Sequence, residues 1–126
     1  MRLEPQEWTT YYANLTSGNY LLGGLSWHSR IDDPIYNLQI FKRKEDRLNI
    51  SKWENGIYQT LLTEAQQEVD PELRNALLLE AEELIIDEMP VIPIYFLTVS
   101  YAKNAQLENV FISQTNQLDF SRAYFR

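Results

Sequence analysis

Residues 84–101, LIIDEMPVIPIYFLTVSY, constrain the fold more than any other part of the chain. A charged amphipathic helix runs out at Asp87-Glu88-Met89 and must stop at Pro90, because the proline ring and its missing N–H break the helical ladder. An almost unbroken apolar run follows, from Val91 to Tyr101. A run that apolar predicts a strand covered on both faces, in an α/β arrangement of mixed sheet flanked by helices.

The residues before this joint predict a pair of helices. Asn55-Gly56 marks a start, and residues 57–69 then place Tyr58, Leu61, Leu62, Ala65 and Val69 on one face. Asp70 is suited to cap the next helix, with Pro71 at its first position. Leu73, Leu77, Ala81 and Leu84 line its core side, opposite Glu72, Glu80, Glu82 and Glu83. Together they form an αα-hairpin with a two-residue hinge.

Nearer the N-terminus, Pro5, Gln6 and Glu7 open a helix whose buried stripe is Trp8, Tyr11, Tyr12 and Leu15. Gly18-Asn19 stops it. Residues 20–27, YLLGGLSW, read as a buried strand, in which Gly23-Gly24 signals a close backbone approach or a bulge. With a short strand at residues 2–4 this makes a compact βαβ unit with a parallel strand pair. The polar residues 28–34, HSRIDDP, form a loop at the end of the strand where open α/β sheets hold ligands. Pro34 opens a short helix through Ile35, Leu38 and Phe41. The charge run 42–47, KRKEDR, reads as a solvated loop. Residues 103–126 alternate weakly through Val110, Phe111, Ile112, Leu118, Phe120, Tyr124 and Phe125, giving one or two short strands. There is no internal repeat.

Composition closes off several classes of function. The net charge of −7 lacks the basic footprint of a nucleic-acid binder and disfavours an anionic membrane surface. With no cysteine, the chain has no disulfide framework, thiol nucleophile or Cys-ligated zinc. No apolar run approaches the roughly 18 residues needed to span a bilayer, and the N-terminus has no signal-peptide core.

No catalytic constellation is recognisable. His28, the single histidine, has no Ser/Asp partner at a telling spacing and reads as a loop histidine. Asp32 and Asp33 are too few for a hard-cation site and suit turn or cap duty. No Gly-rich phosphate loop occurs, so neither a metal nor another cofactor is expected. Asn14-Leu15-Thr16 and Asn49-Ile50-Ser51 match the glycosylation pattern only as short motifs. Trp8 and Trp27 are compatible with core packing or with lining a pocket; for Trp27 a strand end followed by a polar loop is a pocket address.

In order along the chain, QEWTTYYANLTSGNYLLGGLSWHSRIDDP and WENGIYQTLLTEAQQEVDPELRNALLLEAEELIIDEMPVIPIY resemble the C-terminal part of the extracytoplasmic oligopeptide- and dipeptide-binding proteins of bacterial ABC importers, solute-binding protein family 5. The resemblance covers residues 2–126. It implies one lobe of a periplasmic-binding-protein-like fold, with residues 1–126 a single domain from the second large lobe and 107–126 a tail crossing back toward the first. It implies no enzyme but a binding protein, held in the periplasm or on the extracytoplasmic face, that captures oligopeptides between two lobes for ABC permease subunits. Family members are several times longer, so Met1 is expected to be an internal position of a longer parent, which accounts for the missing signal. A lobe deprived of its partner is also expected to self-associate through exposed apolar surface.

Carried over residue by residue, the resemblance makes Trp8, Trp27, His28, Arg30, Asp32 and Asp33 the ligand-binding candidates. Trp8 and Trp27 match aromatic positions that line side-chain pockets. Where well-known members have an Asp that pairs with the peptide α-amino group, three residues after the Trp27 position, this chain has Arg30. Where the family has a basic residue that can meet the ligand's carboxylate, three residues before the Trp27 position, this chain has Gly24. A guanidinium in place of a carboxylate reverses the preference from ammonium to carboxylate or phosphate, so a modified or acidic peptide is expected. A peptide-sensing or protein-interaction domain with the same lobe and no transport role is the other reading.

Overall fold

The computed structural model describes residues 4–98, 100–113 and 115–126. The chain divides into two compact units: Met1–Leu25 with Pro34–Ile92, and Ser26–Asp33 with Pro93–Arg126.

The first unit is helical. Helix α1 (Trp8–Ser17) begins later than the sequence suggests, because Glu7 stays extended and its carboxylate accepts from the Thr9 and Thr10 N–H groups at 2.8 and 3.3 Å. Those hydrogen bonds hold the Glu7 carboxyl below the usual carboxylate range. The helix ends as predicted. Gly18 takes the left-handed conformation at φ 76°, and Asn19 N–H reaches back to Asn14 O at 2.9 Å, a Schellman closure.

The expected buried stripe of α1 holds only at its far end. Leu15 is buried, Tyr11 and Tyr12 are half-buried, and Trp8 is 62% exposed. Residues 20–27 form no strand; of the expected partner strand at residues 2–4, Arg2 and Leu3 lie outside the described residues. Residues 20–27 have no ladder partner among the described residues, and side chains tie them down. The Tyr11 hydroxyl donates to Gly24 O at 2.7 Å and accepts from Gly24 N–H at 2.8 Å, satisfying both backbone groups. Gly23 is the close approach: a Cβ there would lie 2.2 Å from Leu15 Cδ2, whereas one at Gly24 meets nothing within 4 Å. Gly23→Ala is therefore expected to destabilise the unit by about 1–3 kcal/mol, because Leu15 is buried and has little room to yield. Gly24→Ala should be close to neutral. Thermal unfolding of the pair checks this, and equal melting temperatures would refute the close approach.

Pro34 leads into α2 (Ile35–Leu38) and a 3₁₀ turn over Gln39–Phe41, as expected. Helices α3 (Gly56–Gln67) and α4 (Pro71–Glu88) form the predicted hairpin. Asn55 caps α3 through Oδ1, and Asp70 caps α4 with Pro71 at the start. The hinge is three residues, Glu68 to Asp70, so Val69 lies outside the helix and is 93% exposed instead of packing on the α3 face. On α4 the fully buried positions are Leu78, Ala81 and Ile85, flanked by half-buried Leu77 and Leu84, while Leu73 faces solvent. The core joins these to Leu38, Tyr58, Leu61, Leu62 and Ala65.

Glu88, at the end of α4, ties the hairpin back to its beginning. Its carboxylate accepts from Trp53 Nε1 at 2.7 Å and from Asn55 Nδ2 at 2.6 Å. Three cations of the 42–47 run, which is otherwise largely exposed as expected, also make side-chain contacts. Lys44 pairs with Glu54 at 2.9 Å, Lys42 Nζ reaches Gln66 Oε1, and the Arg47 guanidinium lies 5.8 Å from the centre of the Tyr12 ring.

Met89 ends α4 in the left-handed conformation, with φ 48°, and Pro90 follows as predicted. Of the strand expected at residues 91–101, the described residues 91–98 and 100–101 form none. Among the described residues they make no ladder, and residues 92–98 and 100–101 are exposed, with Phe96 98% exposed. Their sequence is written for burial on both faces, but the described residues contribute no neighbouring strand to cover them.

In the second unit, residues 103–126 hold more strand than expected. Strand β1 (Leu107–Glu108) pairs with β4 (Tyr124–Phe125), and β2 (Phe111–Ile112) pairs with β3 (Leu118–Asp119). Both ladders are antiparallel. In sequence the β2–β3 pair sits inside the β1–β4 pair, and Arg126 N–H extends the outer ladder to Gln106 O at 2.9 Å. Left-handed Asn116 lies in the turn between β2 and β3, and left-handed Asn109 in the link from β1 to β2.

Candidate functional site

The six candidates fall into two groups. Trp27, His28, Arg30, Asp32 and Asp33 all lie in the segment Ser26–Asp33 of the second unit, and Trp8 opens α1 in the first. Trp27 is 44% exposed; His28, Arg30 and Asp32 are exposed and Asp33 is half-buried. The segment is neither helix nor strand. Within it, Ser29 Oγ donates to the Ile31 carbonyl and tightens the turn that displays Arg30. One guanidinium and two carboxylates thus stand within four positions on a water-facing loop, beside an indole that still offers apolar area.

Around Trp8 the geometry is more elaborate than its sequence suggests. Its ring stacks on Tyr12 at 5.9 Å with an interplanar angle of 26°, and it meets Tyr11 at 6.1 Å and 44°. The Trp8–Tyr12 contact follows from i,i+4 spacing and was readable in the sequence. The Arg47 contact to Tyr12 joins residues 35 apart, and nothing local announces it. Among the described residues no group of three or more His, Asp or Glu side chains is placed to hold a metal, and no helix is long and apolar enough to cross a membrane.

Comparison of the sequence with known proteins places the chain among solute-binding proteins. Over all 126 residues the chain is 37% identical to the oligopeptide-binding protein OppA of Bacillus subtilis (strain 168), of which it spans 23%. It is 35% identical over 94 residues, 75% of the chain, to the probable deoxycholate-binding periplasmic protein YgiS of Escherichia coli (strain K12), spanning 17% of it. It is 28% identical over 123 residues, 98% of the chain, to the dipeptide-binding protein DppE of Bacillus subtilis (strain 168), spanning 22% of it. No family model matches the chain. The chain belongs to the oligopeptide- and dipeptide-binding proteins of bacterial ABC importers, solute-binding protein family 5, and corresponds to their C-terminal part. Its helices and small antiparallel sheets fit a piece of the α/β periplasmic-binding-protein-like fold. The relatives are binding proteins and not enzymes.

Proposed function

We propose that this chain is the distal part of the second large lobe of a peptide importer's substrate-binding component, and that it supplies one wall of an interlobe cleft that captures oligopeptides. The observation that carries this reading is the 37% identity to OppA across the whole chain. Trp8 and Trp27 offer apolar surface to ligand side chains; His28, Arg30, Asp32 and Asp33 contribute polar contacts. Residues 107–126 run back toward the first lobe, and the assembled protein works at the extracytoplasmic face with ABC permease subunits. The chain alone self-associates through its exposed apolar stretch at Ile92, Ile94, Tyr95 and Phe96.

Arg30 sets the ligand class. An exposed guanidinium favours a carboxylate, so the preferred ligand is an acidic or otherwise modified peptide. The test is a chimera in which these 126 residues replace the corresponding part of OppA, with binding measured calorimetrically. The chimera should bind pentapeptides. Arg30→Ala should weaken a Glu-containing pentapeptide about tenfold, equivalent to about 1.4 kcal/mol, and change a neutral one less than about twofold. A folded chimera that binds neither peptide overturns the function. Equal effects of Arg30→Ala on both peptides overturn the acidic preference.

A further inference from the structure

Trp8 combines two properties that seldom occur together: it is mostly exposed, and it is held. It stands outside the hydrophobic core, so its packing is not needed to fill the interior. Yet two rings flank it, and each is anchored elsewhere. Tyr11 is pinned through its hydroxyl to Gly24 at 2.7 and 2.8 Å. Tyr12 stacks on Trp8 and is itself half-buried, with the Arg47 guanidinium 5.8 Å from its ring centre. An arginine brought from the 42–53 loop thus fixes the ring that supports the indole. An exposed side chain ordered before binding loses less freedom when a ligand arrives.

We propose that Tyr12 and Arg47 are positioning residues for Trp8, holding its indole in one orientation with its open surface ready for an apolar or aromatic group of the ligand. The inference rests on the ligand-facing role proposed above for Trp8. Neither residue touches the ligand; both act through the indole.

The experiment has two arms. In the first, the 126-residue chain is labelled with 5-fluorotryptophan, and the Trp8 resonance is assigned with Trp8→Phe. Tyr12→Leu is expected to shift that ¹⁹F resonance and enlarge its solvent isotope effect. Tyr12→Phe, which keeps the ring, should leave both unchanged. Arg47→Ala should move them the same way by a smaller amount. An unmoved Trp8 resonance in both Tyr12→Leu and Arg47→Ala overturns the proposal. Should Tyr12→Leu fail to fold, exposed Arg47→Ala decides it.

The second arm uses the OppA chimera and the pentapeptide Ala-Ala-Phe-Ala-Ala. Tyr12→Leu should weaken binding about two- to tenfold, and Tyr12→Phe should restore it. Equal affinities for the unsubstituted chimera and Tyr12→Leu overturn the positioning role. Absence of binding in every chimera overturns the transport reading instead, and the fluorine signal still judges the stack.

Discussion

Replacing Tyr58 by alanine is expected to cost about 3–5 kcal/mol, as large-to-small changes of buried aromatics do. Tyr58 is fully buried at the start of α3, in the middle of the core that α3 and α4 share with Leu38. Its hydroxyl donates to the Leu38 carbonyl at 2.6 Å, binding α2 to α3, and its ring packs edge-to-face with Trp53, the centroids 4.9 Å apart and the planes at 72°. Burial pushes the phenol well above its ordinary pKa, so it stays a neutral donor throughout the range where the protein is handled. Tyr58→Phe separates the two contributions. The ring and its packing remain, but the Leu38 carbonyl loses this donor, for about 1–2 kcal/mol. Urea unfolding of both variants checks the order. Equal losses for Phe and Ala would mean that the hydroxyl, and not the ring, dominates.

The parts of this architecture that were legible in the sequence are the ones specified locally. Asn55 and Asp70 cap their helices because a short side-chain oxygen can reach the first free N–H groups wherever the rest of the protein lies. Gly18 and Pro90 end helices for reasons equally confined to their own backbone. The face of α4 was less determinate. Leu77-Leu78-Leu79 and Leu84-Ile85-Ile86 each put three apolar residues in succession, spread around most of a turn, so periodicity could not choose among them. Packing against α3 chose Leu78, Ala81 and Ile85.

Strands were the weak point for a different reason. Residues 20–27 and 91–101 have strand composition, but a strand exists only when another backbone completes its hydrogen bonds. The Tyr11 hydroxyl takes that role for Gly24, and residues 91–101 have no such partner among the described residues. Of the ladders that do form, the one near Phe111 closes through a turn at left-handed Asn116, and the one near Tyr124 pairs residues far apart in sequence; the weak alternation concealed both. For the candidate site, the order of motifs identified the family and hence the residues to look at. The support behind Trp8 depends on Arg47, a long-range contact that a charge run does not reveal.

Asn49 is where a misleading motif and an unforeseen structural role coincide, and its loss should be nearly as damaging as that of Tyr58. Asn49-Ile50-Ser51 has the form of a glycosylation acceptor, yet the Asn49 side chain is fully buried. Its Nδ2 donates to the Arg43 carbonyl at 3.0 Å and the Trp53 carbonyl at 2.9 Å, and its Oδ1 accepts from Ser51 Oγ at 2.8 Å. Both amide protons are therefore committed, and a glycan would require the loop to open. Asn49→Ala removes three hydrogen bonds at once and is expected to cost about 2–4 kcal/mol. Asn49→Asp should be worse than Ala despite its matching shape, because it turns an acceptor oxygen toward two carbonyl oxygens. Thermal unfolding of the two variants tests the sign, and an aspartate variant as stable as the original would show that the amide is not the organising group. Because the same side chain fixes the course of the loop from Arg43 to Trp53, its removal should also free Arg47 from Tyr12. In the fluorine spectrum, Asn49→Ala should then displace the Trp8 resonance in the direction of Arg47→Ala, linking a buried amide to the exposed indole through loop, guanidinium and ring.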